Sequence, residues 1–195
     1  HAVMSPLRVA AEATHATFHN NPFMPASHAH FGRAMTAGAE LFERSTRRFT
    51  KPAFHLPTTK VMGDEVKVTE EIVLKKPFAN LLHFKREGNF DHPKVLIVAP
   101  MSGHFATLLR GTVNDMLPAH DVYITDWTDA KMVPITAGKF DLEDYITYVM
   151  DFIRRLGPDV HLLAICQPAP PVLCAVSLLA GMDDTAPPRS TTMMG

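Results

Sequence analysis

The stretch "VHLLAICQPAPPVLC" spans residues 160–174, and its reading decides the fold. Residues 160–165 form a short apolar run, which suits a strand buried on both faces. The run delivers the chain to Cys166, and Pro168, Pro170 and Pro171 follow within five residues. Prolines this dense end regular structure unless they fall where a missing N–H costs little. "PVLCAVSLLAGM" (171–182) then reads as a helix whose regular part starts near Pro171. Cys166 is either a packed sulfur or a group held on a sharp corner because it reacts.

Outward from that corner the chain alternates. "KVLIVAP" (94–100) and "DVYITDW" (121–127) are two further buried strands. "FATLLRGTVNDML" (105–117) places Leu108, Leu109, Val113 and Met116 on a helical face. Residues 142–156 read as the clearest helix, with Leu142, Tyr145, Ile146, Val149, Met150, Ile153 and Leu156 on one stripe. Asp141 can cap its start and Gly157-Pro158 supplies its stop. "EVKVTEEIVLK" (65–75) and "FANLLHFKR" (78–86) read as strands, and "STTMMG" (190–195) as the beginning of another. Strands and helices in such close alternation imply a mostly parallel sheet with right-handed crossovers, an α/β fold. Residues 1–55 lack this alternation and read as a helical extension of two helices. Residues 56–195 read as the N-terminal part of the α/β domain.

The three strand ends at "APMSGHF", "TDWTDAKMVP" and "CQPAPP" are where an open parallel sheet binds ligands. Strand, nucleophile, helix is also the arrangement of the α/β-hydrolase nucleophile elbow, usually G-x-S-x-G. Ala164 replaces the first glycine and is the next smallest choice. Pro168 replaces the second and lies in a first helical turn, where its N–H would lack a partner anyway. A thiolate at Cys166 would gain from a helix dipole. The backbone N–H of Gln167 would be one oxyanion donor, and an N–H in the turn from Met101 through Ser102 to His104 the other. His104 could orient substrate or be a surface residue. Asp126 and Trp127 could line the cleft or be structural. Cys174, inside an apolar helix, reads as core.

Composition excludes several classes of function. A formal net charge of −1 gives no reason to expect nucleic acid as partner, and the apolar runs are far shorter than the roughly 20 residues of a membrane span. No paired C-x-x-C or H-E-x-x-H occurs and no G-x-G-x-x-G, so neither a metal site nor a dinucleotide cofactor is expected. Two cysteines fit a reducing compartment. The chain starts at His1 and stops inside "STTMMG", so both ends read as cuts, the second just after the elbow helix.

Four blocks in order, "VLIVAPMSGHFATLLRGTV", "DVYITDWTDAKMVP", "FDLEDYITYV" and "ICQPAPPVLCAVSLLA", resemble the intracellular polyhydroxyalkanoate depolymerases. The likeness extends to the helical N-terminal section. It implies an α/β-hydrolase fold, a cytoplasmic location that includes storage granules, and hydrolysis of ester bonds in poly(3-hydroxybutyrate) and its oligomers. It also implies that Cys166 is the nucleophile, with an aspartate and a histidine further along completing the triad. No histidine follows Cys166 here, and Asp183 and Asp184 come too early to be the acid. The expectation is therefore a chain without its full triad, inactive alone. Acyl transfer, as in the related polyester synthases, and a non-catalytic role at the granule are the alternatives. Synthases usually keep glycine around the cysteine, so Ala164 and Pro168 favour hydrolysis.

Overall fold

The computed structural model describes residues 4–19, 30–46, 50–101, 105–182 and 187–195. The chain divides into two compact units, residues 1–50 and 51–195. The first holds α1 (Met4–His19) and α2 (His30–Thr46). These helices pack on each other, and Glu40 on α2 pairs with Arg44 one turn on at 2.6 Å. The second of the two expected helices is seen as α2, its flanks lying outside the described residues.

The second unit is built on a seven-stranded sheet: β1 (Thr58–Val61), β2 (Asp64–Lys75), β3 (Ala79–Arg86), β4 (Lys94–Val98), β5 (Asp121–Trp127), β6 (Val160–Ile165) and β7 (Ser190–Met194). Its spatial order is β1-β2-β3-β5-β4-β6-β7. β5, β4, β6 and β7 are mutually parallel, whereas β1, β2 and β3 pair antiparallel and β3 joins β5 antiparallel. Five of the seven strands therefore run one way. β1 was not expected from its four residues. It exists because Met62 and Gly63, at φ 53° and 99°, close a two-residue hairpin of the type whose twist matches the strands.

The parallel strands are joined through α3 (Arg110–Met116), α4 (Leu142–Leu156) and α5 (Ala169–Gly181). α4 forms because its apolar residues recur at helical spacing and its ends are satisfied. Asp141 accepts from the Glu143 and Asp144 N–H groups, while Asp144 accepts from the Asp141 N–H. Gly157, at φ 89°, ends the helix and donates its N–H to Ile153. Val149, Phe152 and Ile153 are fully buried against the sheet, whose central residues Leu96, Ile97, Val98 and Ile124 are equally closed to water. Phe140, Tyr145, Tyr148 and Trp127 extend this core as an aromatic cluster, with Trp127 and Tyr145 edge to face at 4.5 Å.

Three expectations need correction. Leu142 is 61% exposed; it is the first residue of α4, directly after the Asp141 cap, and lies outside the buried set that begins at Tyr145. Leu108 is 58% exposed, because residues 106–109 form a 3₁₀ turn, which rotates it off the face that carries Leu109 and Val113. Cys174 is exposed and is not core, since α5 buries Val172, Ala175 and Leu179 and turns Leu173 and Cys174 outward. No helix among the described residues is long and apolar enough to cross a membrane.

At the end of β5 remote from the cleft, Asp121 accepts from Tyr123 at 3.0 Å and pairs with His83 at 2.7 Å, and the His83 and Tyr123 rings stack. Burial pushes the Asp121 carboxyl up, but the His83 and Tyr123 hydrogen bonds and the Arg86 charge hold it below its usual range. A lowered carboxylate stabilises the fold above its unfolded pKa of roughly 4, and that contribution is lost as pH falls through the lower folded value. Asp121→Asn is expected to cost about 1–3 kcal/mol at pH 7 and to flatten the acid limb of stability. Urea unfolding at pH 7 and pH 3 checks both; an unchanged acid limb contradicts the assignment.

Candidate active site

β6 runs through the middle of the parallel half and ends at a corner. Cys166 follows Ile165 directly and takes φ 66°, a left-handed conformation in which a side chain costs about 1–2 kcal/mol. Both of its peptide groups are held. The Cys166 N–H donates to the Met194 carbonyl of β7, and its own carbonyl accepts from the Ala169 N–H at 3.1 Å. The thiol stands exposed at the carboxyl end of the sheet. Ala164, two residues earlier, is fully buried, as the close approach of strand and helix requires.

The prolines account for the start of α5. The helix begins at Ala169, two residues before the expected start, with Pro168 as its N-cap and no capping side chain. A helix leaves its first backbone N–H groups without partners inside it. Here Pro168, Pro170 and Pro171 have no N–H to leave unpaired, and the Ala169 N–H is taken by Cys166. Regular pairing resumes with the Val172 N–H on the Pro168 carbonyl at 2.9 Å. The proline run thus replaces a cap.

The chain leaves β4 toward β5 on one side and leaves β6 toward β7 on the other, so the carboxyl ends of β4 and β6 flank a topological switch point. β4 stops pairing at Val98, and side chains take over from the ladder. The Ala99 N–H donates to Thr125 Oγ1 at 2.9 Å, and Trp127 Nε1 donates to the Ala99 carbonyl at 2.8 Å. Across the crevice, the Met101 N–H donates to Gln167 Oε1 at 2.8 Å. Cys166, Gln167 and Met101 are therefore brought together. Ser102 and His104 lie outside the described residues.

Asp126 and Trp127 do not form an open cleft wall. Trp127 is 4% exposed and braces the crevice from behind through its bond to Ala99. Asp126 is buried and its Oδ2 pairs with Lys51 at 2.5 Å, a contact that balances a charge held at the end of β5. Neither contact could be read from the local sequence, because both partners lie tens of residues away.

The site presents the exposed thiol of Cys166, and among the described residues no hydrogen bond joins that thiol to a histidine or a carboxylate. His83, with Asp121 beside it, has the chemistry of a catalytic pair, yet it is opposite Tyr123 in the β3–β5 register. That places it four residues short of the end of β5, on the order of 13 Å from the carboxyl edge. His161, the second residue of β6, bonds Ser190, while His92 and His120 bond Arg86 and Met116. Among the described residues no cluster of histidine, cysteine, aspartate or glutamate could hold a metal ion.

Strand, left-handed cysteine and helix at the carboxyl edge of this mixed sheet constitute an α/β-hydrolase architecture. No protein-family model matches the sequence, and no curated protein is significantly similar to it. Among solved structures, naproxen esterase (carboxylesterase NP) from Bacillus subtilis is similar over 65% of this chain and 42% of its own, at 12% identity and a TM-score of 0.46. Brefeldin A esterase, a bacterial homologue of human hormone sensitive lipase, is similar over 87% and 51%, at 16% identity and a TM-score of 0.37. The chain thus spans about half or less of the length of either structure.

Backbone strain at Cys166 has a measurable sign. Cys166→Gly is expected to be more stable than Cys166→Ala by about 1 kcal/mol, because only glycine takes this φ without cost. Urea unfolding of the two variants checks it, and an alanine variant as stable as the glycine one would contradict the strain.

Proposed function

We propose that this chain carries the nucleophile of a cysteine-dependent ester hydrolase acting on polyhydroxyalkanoate, the polymer or its oligomers. The observation that carries the reading is the exposed thiol of Cys166 on a left-handed backbone between β6 and α5. A non-glycine residue in that conformation is expensive, and such strain collects at sites where a side chain must be presented. The polyester substrate rests on the four sequence blocks and on no contact in the structure.

In the proposed reaction the Cys166 sulfur attacks the ester carbonyl carbon, and the carbonyl oxygen takes the negative charge. The Gln167 N–H and an N–H of the turn after β4 stabilise that oxygen. The carbon–oxygen bond to the leaving alcohol breaks and the alcohol takes a proton, leaving a thioester on Cys166. Water then releases the carboxylic acid and restores the thiol. A histidine acts as the base in both halves of this scheme, supplied from outside the described residues.

The test is hydrolysis of 3-hydroxybutyrate oligomers by the full-length protein, followed as acid release. Cys166→Ala is expected to lower the rate at least about 10³-fold, whereas Cys174→Ala leaves it within twofold. Comparable rates for wild type and Cys166→Ala would defeat the proposal. Transfer of the acyl group to a growing chain, with little free acid, would point to the synthase chemistry.

A further inference from the structure

We propose that the Gln167 side chain is a positioning residue, a clamp that holds the loop leaving β4 against the elbow and so fixes the spacing of the oxyanion site. The inference rests on the hydrolase reading above and deepens it. Oxyanion stabilisation needs donors on two separate segments, one after the nucleophile and one after β4, at a set distance from each other. Here the two segments are 66 residues apart in sequence, and a side-chain hydrogen bond joins them, from the Met101 N–H to Gln167 Oε1 at 2.8 Å.

The rest of the β4 exit is held in the same manner from its other side. Thr125 and Trp127 of β5 take both backbone groups of Ala99, and Pro100 has no N–H to offer. Met101 is thus the first donor past Ala99, and Gln167 is the group on the β6 side that receives it. The loop is pinned from both neighbouring strands, by β5 at Ala99 and by the elbow at Met101.

Two consequences follow. Gln167 serves the site twice, through its backbone at the oxyanion and through its carboxamide at the loop. The Met101 amide is engaged by the clamp.

The experiment uses the full-length protein with Gln167→Met, which keeps the length of the side chain without a strong acceptor, and Gln167→Glu, which keeps an acceptor. Hydrogen–deuterium exchange, read by mass spectrometry on fragments that isolate Met101, is expected to quicken at least about fivefold in Gln167→Met and to stay near wild type in Gln167→Glu. On 3-hydroxybutyrate oligomers, Gln167→Met is expected to lose about three- to tenfold in kcat with KM within twofold, since a displaced donor is felt in the transition state. Unchanged Met101 exchange in Gln167→Met overturns the clamp. So does faster exchange with an unchanged kcat, which would leave the bond without a role in positioning. A wild-type protein that hydrolyses no ester would count against the functional reading, while the exchange comparison would still decide the clamp.

Discussion

The left-handed backbone at Cys166 is the constraint on which the site depends, and it persists because its surroundings over-determine it. Its N–H is bound by Met194, its carbonyl by Ala169, and the prolines that follow remove the donors that would otherwise compete for those positions. Stiff residues also reduce the freedom of the unfolded chain, which favours a strained corner once it forms. β7 acquires a role through this arrangement. It is a strand of the sheet and also the support of the corner, since the last bond of the β6–β7 edge is made by Cys166 itself.

The crevice beside the corner follows from the topology. The crossovers that leave β4 and β6 run in opposite directions, so the carboxyl ends of these two strands flank the switch point. As the strands part, side chains of Thr125, Trp127 and Gln167 replace ladder hydrogen bonds. The crevice is therefore polar in its bonding. Trp127 links it to the aromatic cluster under α4, which connects the geometry of the site to the packing of the core.

The parallel strands and α4 were legible in the sequence because each buries residues at a clear period. "VLIV", "VYIT" and "HLLA" are continuous apolar runs, as strands covered on both faces must be. The corner at Cys166 was legible because strand, cysteine and proline-capped helix stand in one contiguous stretch. Other features were not. β1 depends on the turn conformation of Met62-Gly63 more than on its own four residues. Cys174 sits in an apolar segment, yet helical rotation carries it away from the sheet, and apolar composition alone does not report rotation. The Lys51–Asp126 and Gln167–Met101 contacts join residues 75 and 66 positions apart, a separation at which local pattern is silent.

The central claim is that Cys166, and not Cys174, forms the acyl-enzyme. Both thiols are exposed, so exposure does not separate them; only the backbone corner does. Quenching the full-length protein during turnover of an activated 3-hydroxybutyrate ester, followed by fragment mass spectrometry that resolves residues 166 and 174, measures this directly. The acyl mass is predicted on Cys166 alone. An acyl group on Cys174, or labelling of both cysteines to the same extent, would contradict the account.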